Sequence, residues 1–122
     1  RSGNADGSVC MTPGRGDIWL VDLGTPVGRE QAGRRPAVVL SSDLMNQGPA
    51  EVIIVVPCTT RSRAVPSQIE LDPADSGLDE VSYARCEDVK SVSRHRLIVR
   101  LGAASPEAMF RISHGLRMLL EL

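Results

Sequence analysis

Arginines gather in one glycine-bearing stretch, Gly28-Arg29-Glu30-Gln31-Ala32-Gly33-Arg34-Arg35, which runs directly into Pro36. A guanidinium offers planar, paired donors that match two phosphate oxygens, and the proline ring fixes the backbone just after Arg35. Together they make a rigid edge for a cation that can hold a phosphate, although a solvated basic loop has the same composition. Thr59 follows Val55-Val56-Pro57-Cys58, where a strand-end hydroxyl could donate to a phosphate oxygen; threonines at strand ends are also commonplace. Arg85-Cys86-Glu87-Asp88 sets a cation beside two carboxylates. Such a carboxylate can accept a proton while arginines stabilise developing negative charge, and an exposed ion pair reads identically.

The other chemistry-bearing residues offer less. His95 and His114 are far apart in sequence, so neither a two-histidine ribonuclease nor a metal pair is expected. Asp72, Asp75, Asp79 and Glu80 crowd one segment without the spacing of an EF-hand loop, and read as a solvated turn. There is no glycine-rich nucleotide-phosphate motif and no serine in a nucleophile elbow, which sets aside kinases, NTPases and ordinary hydrolases. Cys10, Cys58 and Cys86 are odd in number and lack a C-x-x-C pairing, which fits neither a disulfide framework nor a zinc site. A reducing cytoplasm is the expectation. No apolar run approaches the roughly 20 residues that span a membrane, and the amino terminus lacks a signal-peptide pattern.

A chain of 122 residues supports one compact domain. Its formal net charge of -1 argues against a surface that attracts nucleic acid everywhere, and confines any such site to one region. Every basic side chain except Lys90 is arginine, which suits phosphate contacts or reflects coding bias. Hydrophobic residues make up 42% and aromatics 2%. The core must therefore be built from Val, Ile, Leu and Ala, with Trp19, Tyr83 and Phe110 as isolated large pieces and Trp19 as a packing anchor.

These residues need elements to position them. Residues 1–10 are polar and aperiodic, and read as a disordered upstream extension or cloning remnant ahead of one domain at 11–122. Asp17 to Leu23 is a strand-length apolar run bounded by turn residues, and Gly24 to Arg35 reads as a long loop, often a functional feature in a small domain. Because proline is excluded from sheet interiors, the next strand is expected at Ala37 to Ser41. Asp43 to Asn46 reads as a turn or short helix. Val52 to Val56 is an unbroken β-branched run that Pro57 should end. Strands at Ser67 to Leu71, Val81 to Cys86 and Leu97 to Leu101 follow, with an acidic turn at Asp72 to Asp79. Finally, Ser105 as cap and Pro106 at the first helical position precede Met109, Ile112, Leu116, Leu119 and Leu120 at helical spacing. The pattern predicts a mainly β domain, a small curled sheet closed by a C-terminal amphipathic helix.

Arg15-Gly16-Asp17-Ile18-Trp19-Leu20-Val21-Asp22-Leu23, the loop Gly28 to Pro36 running into Ala37-Val38-Val39-Leu40-Ser41, and Val55-Val56-Pro57-Cys58-Thr59-Thr60 together resemble the MazF/PemK toxin family, in order and spacing. The similarity extends from about Gly14 to the C-terminus. It implies a small SH3-like barrel of the PemK/CcdB type and a homodimeric, metal-independent endoribonuclease that needs no cofactor. Such a protein cleaves single-stranded RNA at short sequences and is silenced by a MazE-like antitoxin. By the resemblance, Arg35 is the catalytic loop arginine, Thr59 the catalytic threonine and Glu30 the accompanying loop glutamate. Arg85 and Glu87 match a further arginine and carboxylate base of the Kid/PemK branch. Arg29, Gln31, Arg34, Thr60, Arg61 and Asp88 flank these positions and are expected to contact RNA.

The chain departs from the pattern in three places. Glu87 replaces that branch's aspartate, Asp88 stands where glutamine is frequent, and Arg29 where a small or histidine side chain is usual. A carboxylate cannot donate as an amide does, so base recognition near Asp88 should differ. Attack by the 2'-hydroxyl needs a base; a guanidinium keeps its proton too firmly to serve, leaving Glu87 first and Glu30 second. A gyrase poison of the CcdB kind, or a module that binds RNA or antitoxin without cleaving, are the rival readings. The first has no need of the Arg35/Thr59 pair, and the second is disfavoured because both catalytic matches are intact.

Overall fold

Asp17–Asp22 forms the first strand, β1, in a computed structural model that describes residues 12–25, 27–28 and 31–122. The extension expected at residues 1–10 lies outside the described residues, as do Arg29 and Glu30. The second strand, β2, covers Arg34–Val39 and so begins before Pro36, not after it. Pro36 is opposite Leu20 of β1, while pairing on the other side starts only at Ala37, opposite Pro57. The missing N–H therefore falls at the margin of one ladder. Helix α1, Asp43–Asn46, is capped by Ser42, whose side chain accepts from the Met45 N–H.

Strand β3 runs Val52–Thr59, straight through Pro57. Its first half pairs with β6, Lys90–Ser93, as far as Val55, and its end pairs with β5, Ser82–Arg85, from Cys58 onward. Pro57 sits in the gap between those two ladders, where a donor is not demanded. Strand β4 is Gln68–Leu71. Instead of a plain acidic turn there follows α2, Pro73–Ser76, with the Asp72 carboxylate accepting the Ala74 N–H at 2.9 Å. A 3-10 turn at Cys86–Asp88 links β5 to β6, and another at Arg94–Arg96 leads to β7, Leu97–Ala103.

Helix α3 spans Pro106–Leu120 with Ser105 capping the Ala108 N–H at 3.0 Å, as its sequence predicts. Among the described residues no helix is long and apolar enough to cross a membrane.

The strands make one antiparallel seven-stranded sheet in the order β4-β5-β3-β2-β1-β7, with β6 added beside β3. Alternation along each strand sorts side chains onto two faces. Ile18, Val38, Val56, Cys58, Ala84 and Cys86 pack with Ala108, Ile112 and Leu116 of α3. Trp19, Val21, Ala37, Val39, Ile53 and Val55 are buried on the opposite face. Among the described residues, the side chains packed on that face are Val92 of β6, Leu97 of β7 and Leu23 just past β1. The sheet thus curls over itself. Trp19 anchors this inner layer, its indole N–H donating to Asp17 Oδ2 at 3.3 Å.

Phe110 is not a core piece: it is 73% exposed. It lies two residues from Ala108, about 200° around a helix of 3.6 residues per turn, and so points away from the buried stripe. Leu119 and Leu120 are also exposed, so the buried stripe stops at Leu116.

Candidate active site

The face opposite α3 carries the candidate site. In β3, Val55, Pro57 and Thr59 share one side, and Thr59 is opposite Tyr83 of β5, which puts Tyr83 and Arg85 on that side too. Arg35 is opposite Val21 and therefore faces the same way. The buried layer of Trp19, Val21, Ala37 and Val55 thus runs into a polar margin formed by Arg35, Thr59, Tyr83 and Arg85. Apolar packing below fixes the strands; the polar side chains emerge where the ladders diverge.

Thr59 is buried, and its Oγ accepts the Arg61 N–H at 3.1 Å. Among the described residues the oxygen serves as an acceptor, which leaves the hydroxyl proton available for donation. Arg35 is half-buried, and its Nε donates to the Ala32 carbonyl at 3.0 Å. That bond folds the guanidinium from β2 back toward the loop that precedes it, and among the described residues its terminal amino groups have no partner.

Arg85 is buried between two carboxylates. Its Nε contacts Glu87 Oε2 at 3.1 Å and its Nη1 contacts Asp88 Oδ2 at 3.3 Å. Burial pushes the Glu87 carboxyl up, but its own backbone N–H, the Ser67 hydroxyl and the Arg85 guanidinium outweigh that and hold it below its ordinary value. Glu87 is consequently ionised at neutral pH. Asp88 Oδ2 also accepts the Gln31 N–H at 3.1 Å, tying the long loop to the end of β5.

The structure thus joins Gln31, Arg35, Arg85, Glu87 and Asp88 through a short series of contacts, with Thr59 on the same face. Arg34, Thr60 and Arg61 are exposed at the margin. Arg29 and Glu30 lie outside the described residues. Ser67, Tyr83 and Ala32 belong to the site without having been expected there. Alternation through Arg85 could have found Tyr83, whereas no local pattern marks the Ser67 hydroxyl or the Ala32 carbonyl.

Cys58 and Cys86 are free and buried on the α3 face. Burial pushes their thiols up to about 12 and about 11, so both stay protonated and neither is a nucleophile at neutral pH. His95 and His114 are exposed, and His95 lies 3.3 Å from Glu51.

Fold and site define a small antiparallel β domain with an arginine–carboxylate site on the sheet face opposite its long helix. The family described as PemK-like, MazF-like toxin of type II toxin–antitoxin system matches residues 14–120, and the chain belongs to that family. Among its relatives is Endoribonuclease MazF9 of Mycobacterium tuberculosis, 34% identical over 113 residues that cover 88% of this chain and 96% of that one. The crystal structure of MazF from Deinococcus radiodurans superposes with a TM-score of 0.81 at 28% identity, covering 93% of this chain and all of the other. An endoribonuclease in complex with its cognate antitoxin, from a mycobacterial species, gives a TM-score of 0.76 at 25% identity over 90% of this chain and 96% of its own. These likenesses match the mainly β fold with a C-terminal helix that the sequence predicts.

Proposed function

We propose that this chain is the toxin of a type II toxin–antitoxin pair and cleaves single-stranded RNA without a metal ion. The observation that carries the reading is the placement of Arg35, Thr59 and the Arg85–Glu87 pair on one sheet face, within a fold shared with named endoribonucleases.

Each step follows from a residue. Ionised Glu87 takes the proton of the 2'-hydroxyl, and the 2'-oxygen attacks the adjacent phosphorus. The new O2'–P bond forms as the P–O5' bond breaks. The amino groups of Arg35 face the phosphorane charge, and Thr59 donates to a nonbridging oxygen. The 5'-oxygen leaves as a hydroxyl, taking its proton from Arg35, which solvent then restores. The products are a 2',3'-cyclic phosphate and a 5'-hydroxyl, and DNA is no substrate because it lacks the nucleophile. Glu30 is the second choice of base. Arg34, Thr60, Arg61 and Gln31 contact the strand on either side, together with Arg29.

The active form is a cytoplasmic homodimer silenced by a MazE-like antitoxin. Phe110, Met118 and Leu119 leave apolar surface on α3 that a protein partner can cover.

Incubating the purified protein with a long single-stranded transcript in EDTA tests the reading. Cleavage with 5'-hydroxyl ends is expected. An intact transcript in EDTA that is cut once a divalent cation is restored rules out the metal-free mechanism, and no cleavage in either buffer rules out the nuclease.

A further inference from the structure

We infer that Asp88 is a positioning residue that fastens the catalytic loop to Arg85, and does not itself contact RNA. The inference rests on the endoribonuclease reading for its kinetic consequence, but not for its geometry.

The long loop is closed at its base by backbone bonds, Leu23 N–H to the Gly33 carbonyl and Gly33 N–H to the Gly24 carbonyl, each 2.8 Å. Those bonds fix where the loop leaves the sheet. Among the described residues, the bond that ties the span to the rest of the molecule is Gln31 N–H to Asp88 Oδ2, between positions 57 apart in sequence. The Gln31 side-chain Oε1 is buried without a partner among the described residues, so it adds no second tie there. The tether is therefore the backbone N–H, which makes the carboxylate the side of the contact that substitution can remove.

The same Oδ2 receives Arg85 Nη1 at 3.3 Å, and the Asp88 side chain is 13% exposed. That oxygen already accepts two donors on a largely enclosed side chain, so the contacts it makes are internal ones. Next to Gln31, the Ala32 carbonyl accepts Arg35 Nε. One carboxylate oxygen thereby sets both site arginines: Arg85 directly, and Arg35 through Gln31 and Ala32. Misplacing a catalytic group by about 1 Å can cost on the order of a hundredfold in rate, so a tether of this kind acts on turnover more than on substrate binding.

The test compares the wild-type protein with Asp88→Ala, the polar but shorter Asp88→Ser, and Asp88→Asn. An asparagine Oδ1 can still accept both donors. Amide exchange at Gln31 is followed by NMR, and kcat and KM are measured on a single-stranded transcript. Ala and Ser should each reduce Gln31 protection about tenfold or more. They should lower kcat about tenfold or more with KM changed by less than about threefold, and Asn should restore both quantities. Either substitution alone suffices should the other not fold. The inference is overturned if Gln31 protection is unchanged in Ala and Ser, or if their defect lies in KM or in the choice of cleavage sites while kcat holds. Should the wild-type protein cut no RNA, the endoribonuclease reading fails, and Gln31 protection alone decides whether Asp88 fastens the loop.

Discussion

Arg85 has Glu87 on one nitrogen and Asp88 on another, so this cluster carries a net negative charge and cannot by itself attract a phosphate. In the proposed mechanism the cation facing the phosphate is Arg35, whose terminal amino groups are open among the described residues. Arg35→Ala should therefore reduce cleavage to below about a tenth of wild type, in line with losses of about a hundredfold or more when one charge-stabilising donor is removed. Its melting temperature should move little, since what the half-buried side chain gives up is one hydrogen bond to the Ala32 carbonyl, worth about 0.5–1.5 kcal/mol. Retention of most of the cleavage by the folded variant removes Arg35 from the centre of the mechanism. Glu87 makes a separate prediction about pH. Its folded value is held below the ordinary 4.5, so what it contributes to stability is present above that value and is lost as pH falls through the lower folded value. As the base it must also be ionised. The acid limb of kcat/KM should consequently lie below pH 4.5, and Glu87→Gln should remove that limb and slow turnover by about 10²–10⁴-fold. An acid limb at higher pH, or a Gln variant of near-normal rate, passes the role to Glu30.

Among the elements, α3 was legible because its start is written locally: Ser105 caps, Pro106 presets the first turn and the apolar spacing supplies the buried stripe. β3 was legible for the same reason, from its β-branched run. The ends of β2 and β3 were misread because the exclusion of proline from sheets depends on which neighbouring ladder reaches it. Pro36 and Pro57 sit where ladders begin or change partner, which is information about distant strands. β6 was missed because Lys90-Ser91-Val92-Ser93 has a single apolar residue, and its pairing with Ile53 and Ile54 of β3 makes it a strand. At the site, Arg35, Thr59, Arg85 and Glu87 were readable by type and by resemblance, whereas the Gln31–Asp88 bond joins segments that nothing in the local sequence connects. Another long-range contact gives an element-level test. Gly102 in β7 lies against α2 so closely that an added Cβ would overlap the Ser76 carbonyl oxygen, with the Gly77 Cα a further 3.2 Å neighbour. Gly102→Ala must push α2 off the strand and should cost about 1–3 kcal/mol or more, read as a lower denaturant midpoint. An unchanged midpoint shows that α2 is not seated on β7 in solution.

With the site as proposed, the molecule as a whole separates stability from chemistry across the thickness of one sheet. On one face α3 seals a core of Ile18, Val56, Cys58, Ala84 and Cys86 with Ile112 and Leu116. On the other, the inner layer around Trp19 passes into the polar margin that holds Arg35, Thr59 and Arg85. Thr59 and Cys58 are adjacent in β3 yet point into these two environments, one hydroxyl toward the site and one protonated thiol into the core. A substitution confined to the helix face should therefore lower stability without altering the chemistry. Leu116 is 7% exposed within that core, and Leu116→Ala should cost about 2–5 kcal/mol through lost burial and a cavity under α3. That is a large share of the roughly 5–15 kcal/mol typical of a domain, so activity must be measured well below the variant's melting midpoint. There kcat/KM should stay within about twofold of wild type, a change worth less than about 0.5 kcal/mol in activation free energy. Arg35→Ala should show the reverse pattern, with activity lost and midpoint kept. If Leu116→Ala lowers kcat in proportion to its stability while still fully folded, α3 is shaping the site through the strands, and the two faces work as one unit.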